Sequence, residues 1–325
     1  MCYGYDGAGD LRRSLQTRSV NRRGFLRGAI GVGAGAGLAI VGAAGVAVAA
    51  PGGNPDGKPG HGTGDKKGRK VPAGLISIQL YTLRSIMNGD GVDATLASLA
   101  DIGFTKVELA GLYGRTPAAL RATLDDLGIT PSSSHDGISG SPAALESKIA
   151  GAVTLGQSYI NVPYLASNVA DDWRMWADQM NAEAAVALKA GLKYGYHNHA
   201  HEFTTDLGDG LTPWEILTDR FDQKLVHLEV DLYWAVTGGF GVGAADPVQF
   251  AIDVIHDAPQ KVLQYHVKDR DASGDFADLG TGEIDFARIF KAHQVKEYAI
   301  EQDQPDVTPL QSAEVGYDYL RAVRY

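Results

Sequence analysis

The segment Tyr196-His197-Asn198-His199-Ala200-His201-Glu202 places three imidazoles and a carboxylate within six positions, directly after the apolar stretch 192–196. If that stretch is a β-strand, alternation puts His197 and His199 on one face. Two imidazoles turned inward at a strand end are what a metal site or an acid–base centre needs. The alternative, one core histidine with solvated neighbours, is weakened by the clustering, because buried imidazoles need partners.

The elements that must position these groups alternate along the chain. Short β-like runs at 75–81, 106–110, 129–134, 159–163, 192–198, 226–231, 262–267 and 297–301 are separated by Ala- and Leu-rich helical stretches, including 94–102, 117–127, 142–155 and 171–190. Prolines open several of these helices (Pro117, Pro142, Pro213, Pro247) and glycines follow them (Gly103, Gly128, Gly156, Gly191). Eight strands each followed by a helix predict an α/β fold, a (β/α)8 TIM barrel. An open doubly wound sheet is the runner-up, but no Gly-rich dinucleotide fingerprint follows the first strand.

Barrel chemistry sits where strands end. The polar residues at those ends are Glu108, His135, His197 with His199, Asp231, His266 with Lys268, and Glu301 with Asp303, and Glu229 shares a face with Asp231. An ion-pair layer accounts for some of them. His, Asp, His and Glu at four successive strand ends form a convergent N/O set that needs a cation at such density.

The folded part, 74–321, resembles the xylose-isomerase-like sugar isomerase/epimerase superfamily. The resemblance rests on Tyr196-His197-Asn198-His199 with Glu202-Phe203, Glu229-Val230-Asp231-Leu232-Tyr233-Trp234, and Gly238-Gly239. It continues through Asp246-Pro247, Tyr265-His266-Val267-Lys268-Asp269, Leu279-Gly280-Thr281-Gly282-Glu283-Ile284-Asp285-Phe286, and Ile300-Glu301-Gln302-Asp303. It implies one divalent metal held by His197, Asp231, His266 and Glu301. Many members carry a glutamate where this chain has His197, and ketose 3-epimerases use two opposed metal-bound carboxylates. With Glu301 alone left of that pair, His199, Lys268 or Glu202 must supply the second acid–base function. Trp234 stands where other members have a second histidine and suits stacking on a sugar ring.

The chemistry so implied is proton removal next to a carbonyl through a metal-stabilised enediolate. It gives an isomerase or epimerase, or alternatively a lyase or dehydratase acting on 3-keto-glycosides or related keto sugars. His199 is the expected base and Lys268 the group beside the developing oxyanion, unless Lys268 is a structural partner of Asp231 or Glu301. Glu108 and His135 are expected to line the substrate pocket; a buried ion pair is the other reading of Glu108. His201 is expected to be solvated. The mixed ligand set suits Mn²⁺, with Co²⁺, Zn²⁺ or Mg²⁺ as alternatives. Specificity is expected in the loops 208–211, 238–245 and 271–282.

The first fifty residues stand apart. Six arginines precede an uncharged run at 28–50; Asn21-Arg22-Arg23-Gly24-Phe25-Leu26-Arg27 resembles a twin-arginine signal, and Ala47-Val48-Ala49 offers a cleavage site. A membrane anchor is the alternative, although heavy Gly and Ala content leaves the run weakly hydrophobic. Residues 1–50 thus read as a signal handled by the twin-arginine translocon, 51–70 as a flexible linker, and 71–325 as the catalytic barrel, which typically needs about 250 residues. The only cysteine, Cys2, lies in the signal, which leaves the barrel without disulfides or a thiol nucleophile.

The whole chain carries a net charge of −10; removing the first fifty residues (six basic, two acidic) gives −14, and removing the linker (five basic, two acidic) gives −17. Such a body repels phosphate backbones. That argues against an endonuclease IV-like enzyme and against nucleic acid as a partner, and favours a small-molecule sugar or glycoside. A non-catalytic exported carbohydrate-binding protein is the remaining reading, against which the complete ligand set speaks.

Overall fold

The computed structural model describes residues 68–305 and 307–325, so the expected signal and nearly all of the linker lie outside the described residues. The barrel's first fixed contact comes slightly before 71. Arg69 exchanges backbone hydrogen bonds with Tyr325 at 2.8 and 3.0 Å, which ties entry and exit of the domain together.

Eight parallel strands make the barrel: β1 (Ile76–Ile78), β2 (Lys106–Leu109), β3 (Thr130–Ser134), β4 (Tyr159–Val162), β5 (Lys193–His197), β6 (Val226–Asp231), β7 (Val262–Val267) and, after a small hairpin of β8 (Asp269–Arg270) and β9 (Phe276–Ala277), β10 (Glu297–Ile300). The helices between and after them are α1 (Gly91–Ile102), α2 (Pro117–Asp126), α3 (Pro142–Leu155), α4 (Ala170–Lys189), α5 (His201–Thr204), α6 (Pro213–Arg220), α7 (Leu232–Gly241), α8 (Pro247–Asp257), α9 (Phe286–Ala292) and α10 (Pro309–Ala322).

Six strands run in the order β1-β10-β7-β6-β5-β4, and β2 pairs with β3. Two parallel bridges, Gln79–Glu108 and His135–Asn161, join these sheets at both seams and close the cylinder. Closure decides against the open doubly wound sheet. Every expected strand is present, but the first ends at Ile78, because 80–83 turns into a 3-10 helix whose Tyr81 amide is capped by the Gln79 side chain.

Local signals explain the helix ends. Proline occupies the first turn of α2, α3, α6, α8 and α10, each behind a Thr, Ser or Asp whose side chain accepts an amide hydrogen bond. Gly103 and Gly156 close α1 and α3 in the left-handed conformation, with φ of 113° and 76°.

The apolar strand residues, such as Ile76, Val107, Ile160, Leu228, Val267 and Ile300, are buried against the helices. The inside of the cylinder is different. Branched aliphatic layers normally fill it; here Ser77, Gln79, Glu108, Ser132, Asn161, His227, Glu229, Gln264 and Glu297 are all buried. Hydrogen bonds cross the interior, from Ser132 to Glu297 at 2.5 Å and from Asn161 to Gln264 at 3.0 Å. A buried polar interior is tolerable only when such groups find partners.

Gly195 makes room for this arrangement. It lies in β5 between Asn161 of β4 and His227 of β6. A Cβ there would overlap Asn161 Oδ1 and stand 2.5 Å from His227 Cε1 and Nε2. Gly195→Ala is therefore expected to destabilise the barrel by about 1–3 kcal/mol, the usual range for overpacking. A thermal melt checks it: an unchanged Tm would show that the interior is looser than these contacts imply.

Candidate metal centre

The upper end of the polar column is where strands β5, β6, β7 and β10 deliver His197, Asp231, His266 and Glu301. All four are buried, and one ligand atom from each lies within 4.8 Å of all the others. Strand alternation turns them inward from four neighbouring strands. His266 Nδ1 meets Glu301 Oε2 at 2.9 Å, and His197 Nε2 stands 3.8 Å from Asp231 Oδ2. Asp231 also caps α7 by accepting from the Trp234 amide through Oδ1 at 2.9 Å. Its other oxygen, Oδ2, is buried and meets only the Lys268 ammonium at 3.2 Å.

Lys268 Nζ lies between three carboxylates, at 2.7 Å from Asp303, 2.8 Å from Glu301 and 3.2 Å from Asp231. One ammonium against three buried carboxylates leaves negative charge over. Together with two imidazole nitrogens and Asp231 Oδ2, which shares the Lys268 ammonium with two other carboxylates, that excess makes the donor set fit a divalent cation.

Electrostatics act differently on the four residues, and the proton favoured on His266 is one that ligation must displace. Burial, then repulsion from His266, His135, His199 and Lys268, holds His197 well below the usual histidine range, so its imidazole is neutral, as ligation requires. Burial alone would push Glu301 up, but Lys268 and His266 keep its carboxyl well below the ordinary value. Burial raises Asp231, opposed by Lys268 and His266. His266 goes the other way: burial lowers it, but the surrounding Glu229, Glu108 and Glu301 carry it well above the usual range.

His199 follows β5 rather than belonging to it. Its ring centroid is 5.1 Å from that of His197, and only 8% of the residue is exposed, at the edge of the cluster. Glu202 holds this stretch: Oε2 accepts from the His199 amide at 2.8 Å, and Oε1 from the Tyr196 hydroxyl at 2.6 Å. Both Glu202 oxygens are thus engaged on the outer side of β5, where Tyr196 points. Glu202, expected as a candidate acid or base, is engaged with Tyr196 and the His199 amide. His201 is partly exposed, with 28% of its side chain accessible, and its Nε2 pairs with the Leu165 carbonyl at 2.7 Å.

Glu108 also departs from expectation. It has no exposure and is sealed beneath His266 by Gln79 and Asn161, so it does not line a pocket; the buried ion-pair reading describes it. His135 lies beside it with a 13% exposed side chain, its Nε2 2.8 Å from Glu229. Trp234 reaches the rim from α7. Its ring lies 5.2 Å from His199, Lys268 Nζ is 5.5 Å from its centroid, and its Nε1 is buried without a partner among the described residues. The 271–282 segment forms the β8–β9 hairpin, whose Phe276 packs on Tyr233 at 4.6 Å and Trp234 at 5.7 Å, and Tyr233 donates to the Gly274 carbonyl at 2.8 Å. The 238–241 stretch closes α7 instead of forming a free loop.

A family model described as the xylose isomerase-like TIM barrel matches residues 96–299, more than half of the chain. The chain belongs to that family. Among curated relatives, an inosose dehydratase of Geobacillus kaustophilus is 25% identical over 270 residues, covering 70% of this chain and 86% of that protein. An inosose dehydratase of Histophilus somni is 27% identical over 177 residues, covering 47% of this chain and 55% of that one. A crystal structure of a sugar phosphate isomerase/epimerase from Parabacteroides distasonis superposes with a TM-score of 0.64 at 24% identity, covering 78% of this chain and 96% of that one. The IOLI protein, solved with a zinc atom, gives 0.55 at 13% identity over 75% of this chain and 96% of that one.

Residues not read from the sequence as site residues are the ones below the strand ends: Gln79, Asn161, His227, Gln264 and Glu297. Continuing the period of two backwards from Asp231 and His266 reaches Glu229, His227 and Gln264. That signal was available for β6 and β7.

Proposed function

We propose that this chain is a divalent-metal-dependent enzyme that removes the proton next to a carbonyl of a keto sugar or keto cyclitol and then expels a β-hydroxyl as water. The carrying observation is the missing second carboxylate. His197 occupies the strand-five position, so no second carboxylate opposes Glu301, and His199 is the imidazole at the edge of the cluster. A single base can take a proton, but two-face epimerisation by opposed carboxylates has no second partner here. The inosose dehydratase relatives support dehydration over isomerisation.

His197, Asp231, His266 and Glu301 would hold the cation, Mn²⁺ in the first instance, with Co²⁺, Zn²⁺ or Mg²⁺ as alternatives. When bound, it supplies Lewis-acid charge to the oxygens of the substrate. His199 takes the proton from carbon. Lys268 places positive charge beside the oxygen on which negative charge develops. The electron pair then returns to expel the β-hydroxyl, which leaves as water with the proton that His199 carries. Trp234 offers a ring face to the sugar, and Glu202 fixes the backbone that aims His199.

The Asn21–Arg27 pattern supports export of the folded, metal-loaded chain by the twin-arginine translocon. Together with the −17 barrel, it favours a free rather than a phosphorylated substrate. Mn²⁺-loaded protein in D₂O with keto-inositols, ketoses and 3-keto-glycosides is expected to give a product lighter by one water, or by the aglycone alcohol from a 3-keto-glycoside, with deuterium at the former β-carbon once the enol ketonises and next to the original carbonyl only in recovered substrate. Deuterium without loss of water would replace dehydration by isomerisation or epimerisation. No exchange in any of these substrates would overturn the enzymatic reading in favour of a carbohydrate binder.

A further inference from the structure

Each imidazole of the candidate centre turns one nitrogen to the upper carboxylates and the other to a carboxylate below. His197 shows Nε2 to Asp231 and Nδ1 to Glu229 Oε2 at 3.2 Å. His266 shows Nδ1 to Glu301 and Nε2 to Glu108 Oε2 at 2.5 Å, with Glu229 Oε2 at 3.3 Å. Glu108 and Glu229 come from strands β2 and β6 and have no exposure, so substrate does not reach them. They are braced as a unit. Asn161 Nδ2 donates to both, at 3.2 and 2.7 Å, and His135 Nε2 stands 3.3 and 2.8 Å from their Oε2 atoms.

We propose that Glu108 and Glu229 are positioning residues that hold the His266 and His197 rings in the orientation needed to ligate the cation; this rests on the cation reading above. A carboxylate behind a ligating imidazole accepts its remaining N–H, fixes its tautomer and raises its basicity. The lower groups do not form a second cation site of their own, although His135, His197, Glu229 and His266 also converge within 4.8 Å. Both Glu229 oxygens and both Glu108 oxygens already have hydrogen-bond partners, whereas Asp231 Oδ2 meets only the shared Lys268 ammonium at 3.2 Å.

The test uses full-length protein stripped of metal and titrated with Mn²⁺ by calorimetry, and with Co²⁺ followed by its visible absorption. Glu108→Gln and Glu229→Gln are expected to keep the far-UV circular dichroism of the parent and one cation per chain. Mn²⁺ affinity should fall by about 10- to 100-fold, and the Co²⁺ band should change shape as the imidazoles tilt. Unchanged affinity and spectrum in both variants would overturn the positioning role alone. Absence of Mn²⁺ binding by the parent would overturn the cation reading and this inference with it. Two cations per chain, one of them lost in Glu229→Gln, would make Glu229 a ligand and also overturn it. Should the glutamine variants unfold, Glu108→Asp and Glu229→Asp decide, because they keep the charge and withdraw the oxygen by one methylene. A clear loss of affinity then supports positioning, and parental affinity overturns it.

Discussion

His266→Ala is expected to lose the bound cation and with it all measurable turnover. The ring is the hinge of the centre, with Glu301 on Nδ1 and Glu108 on Nε2, and no part of it is exposed. Removing it deletes one of four ligands and unpairs two carboxylates in the barrel interior. Breaking a buried pair from one side typically destabilises by about 3–5 kcal/mol. The variant should therefore melt earlier as well as lose metal. Elemental analysis of the purified folded protein is the deciding measurement. About one divalent transition metal per parent chain is expected, as one four-ligand site implies, and essentially none in the variant. A variant that retained the parental metal content would sink the ligand assignment, whatever its stability. Asp231→Ala provides the companion case: it removes the ligand oxygen Oδ2 and the α7 cap together, so metal loss should come with a local loosening near Trp234.

The second large effect is expected at His199. His199→Gln keeps a polar side chain of similar reach but cannot take a proton from carbon. Turnover should fall by about 10²- to 10⁴-fold, the usual contribution of a general base, while the cation stays bound, because His199 is outside the four-residue set. Separating metal content from turnover is what makes this pair of variants informative. His266→Ala fails in both, His199→Gln in turnover alone. A His199→Gln enzyme within about threefold of the parent would move the base to another group. Lys268 would then be the next candidate, held as it is among Asp231, Glu301 and Asp303.

Much of the fold was legible because the signals are local. Alternating strand and helix periods, first-turn prolines and left-handed glycines each act within a few residues, and together they place all eight strands. The top of the site was legible for a related reason. A period of two carries His266 and Lys268, or Glu229 and Asp231, to one face wherever the strand ends. The sequence was least informative where direction depends on partners. Glu202 follows His199 by three residues and looks like part of the same constellation, yet the chain has left the strand there. Glu202 instead turns back to Tyr196 and the His199 amide. Glu108 ends its strand as His266 and Glu301 do, but Gln79 and Asn161 hold it a layer lower.

By itself, then, the sequence determined the barrel and the strand-end chemistry, since each depends on residue type and short-range spacing. Only the tertiary structure decided what fills the cylinder. Ser132 meets Glu297 and Asn161 meets Gln264 across 165 and 103 residues of chain. No local period encodes which polar side chains face one another over such separations. Closure alone brings them together, and it makes Glu108 and Glu229 the floor beneath two histidines.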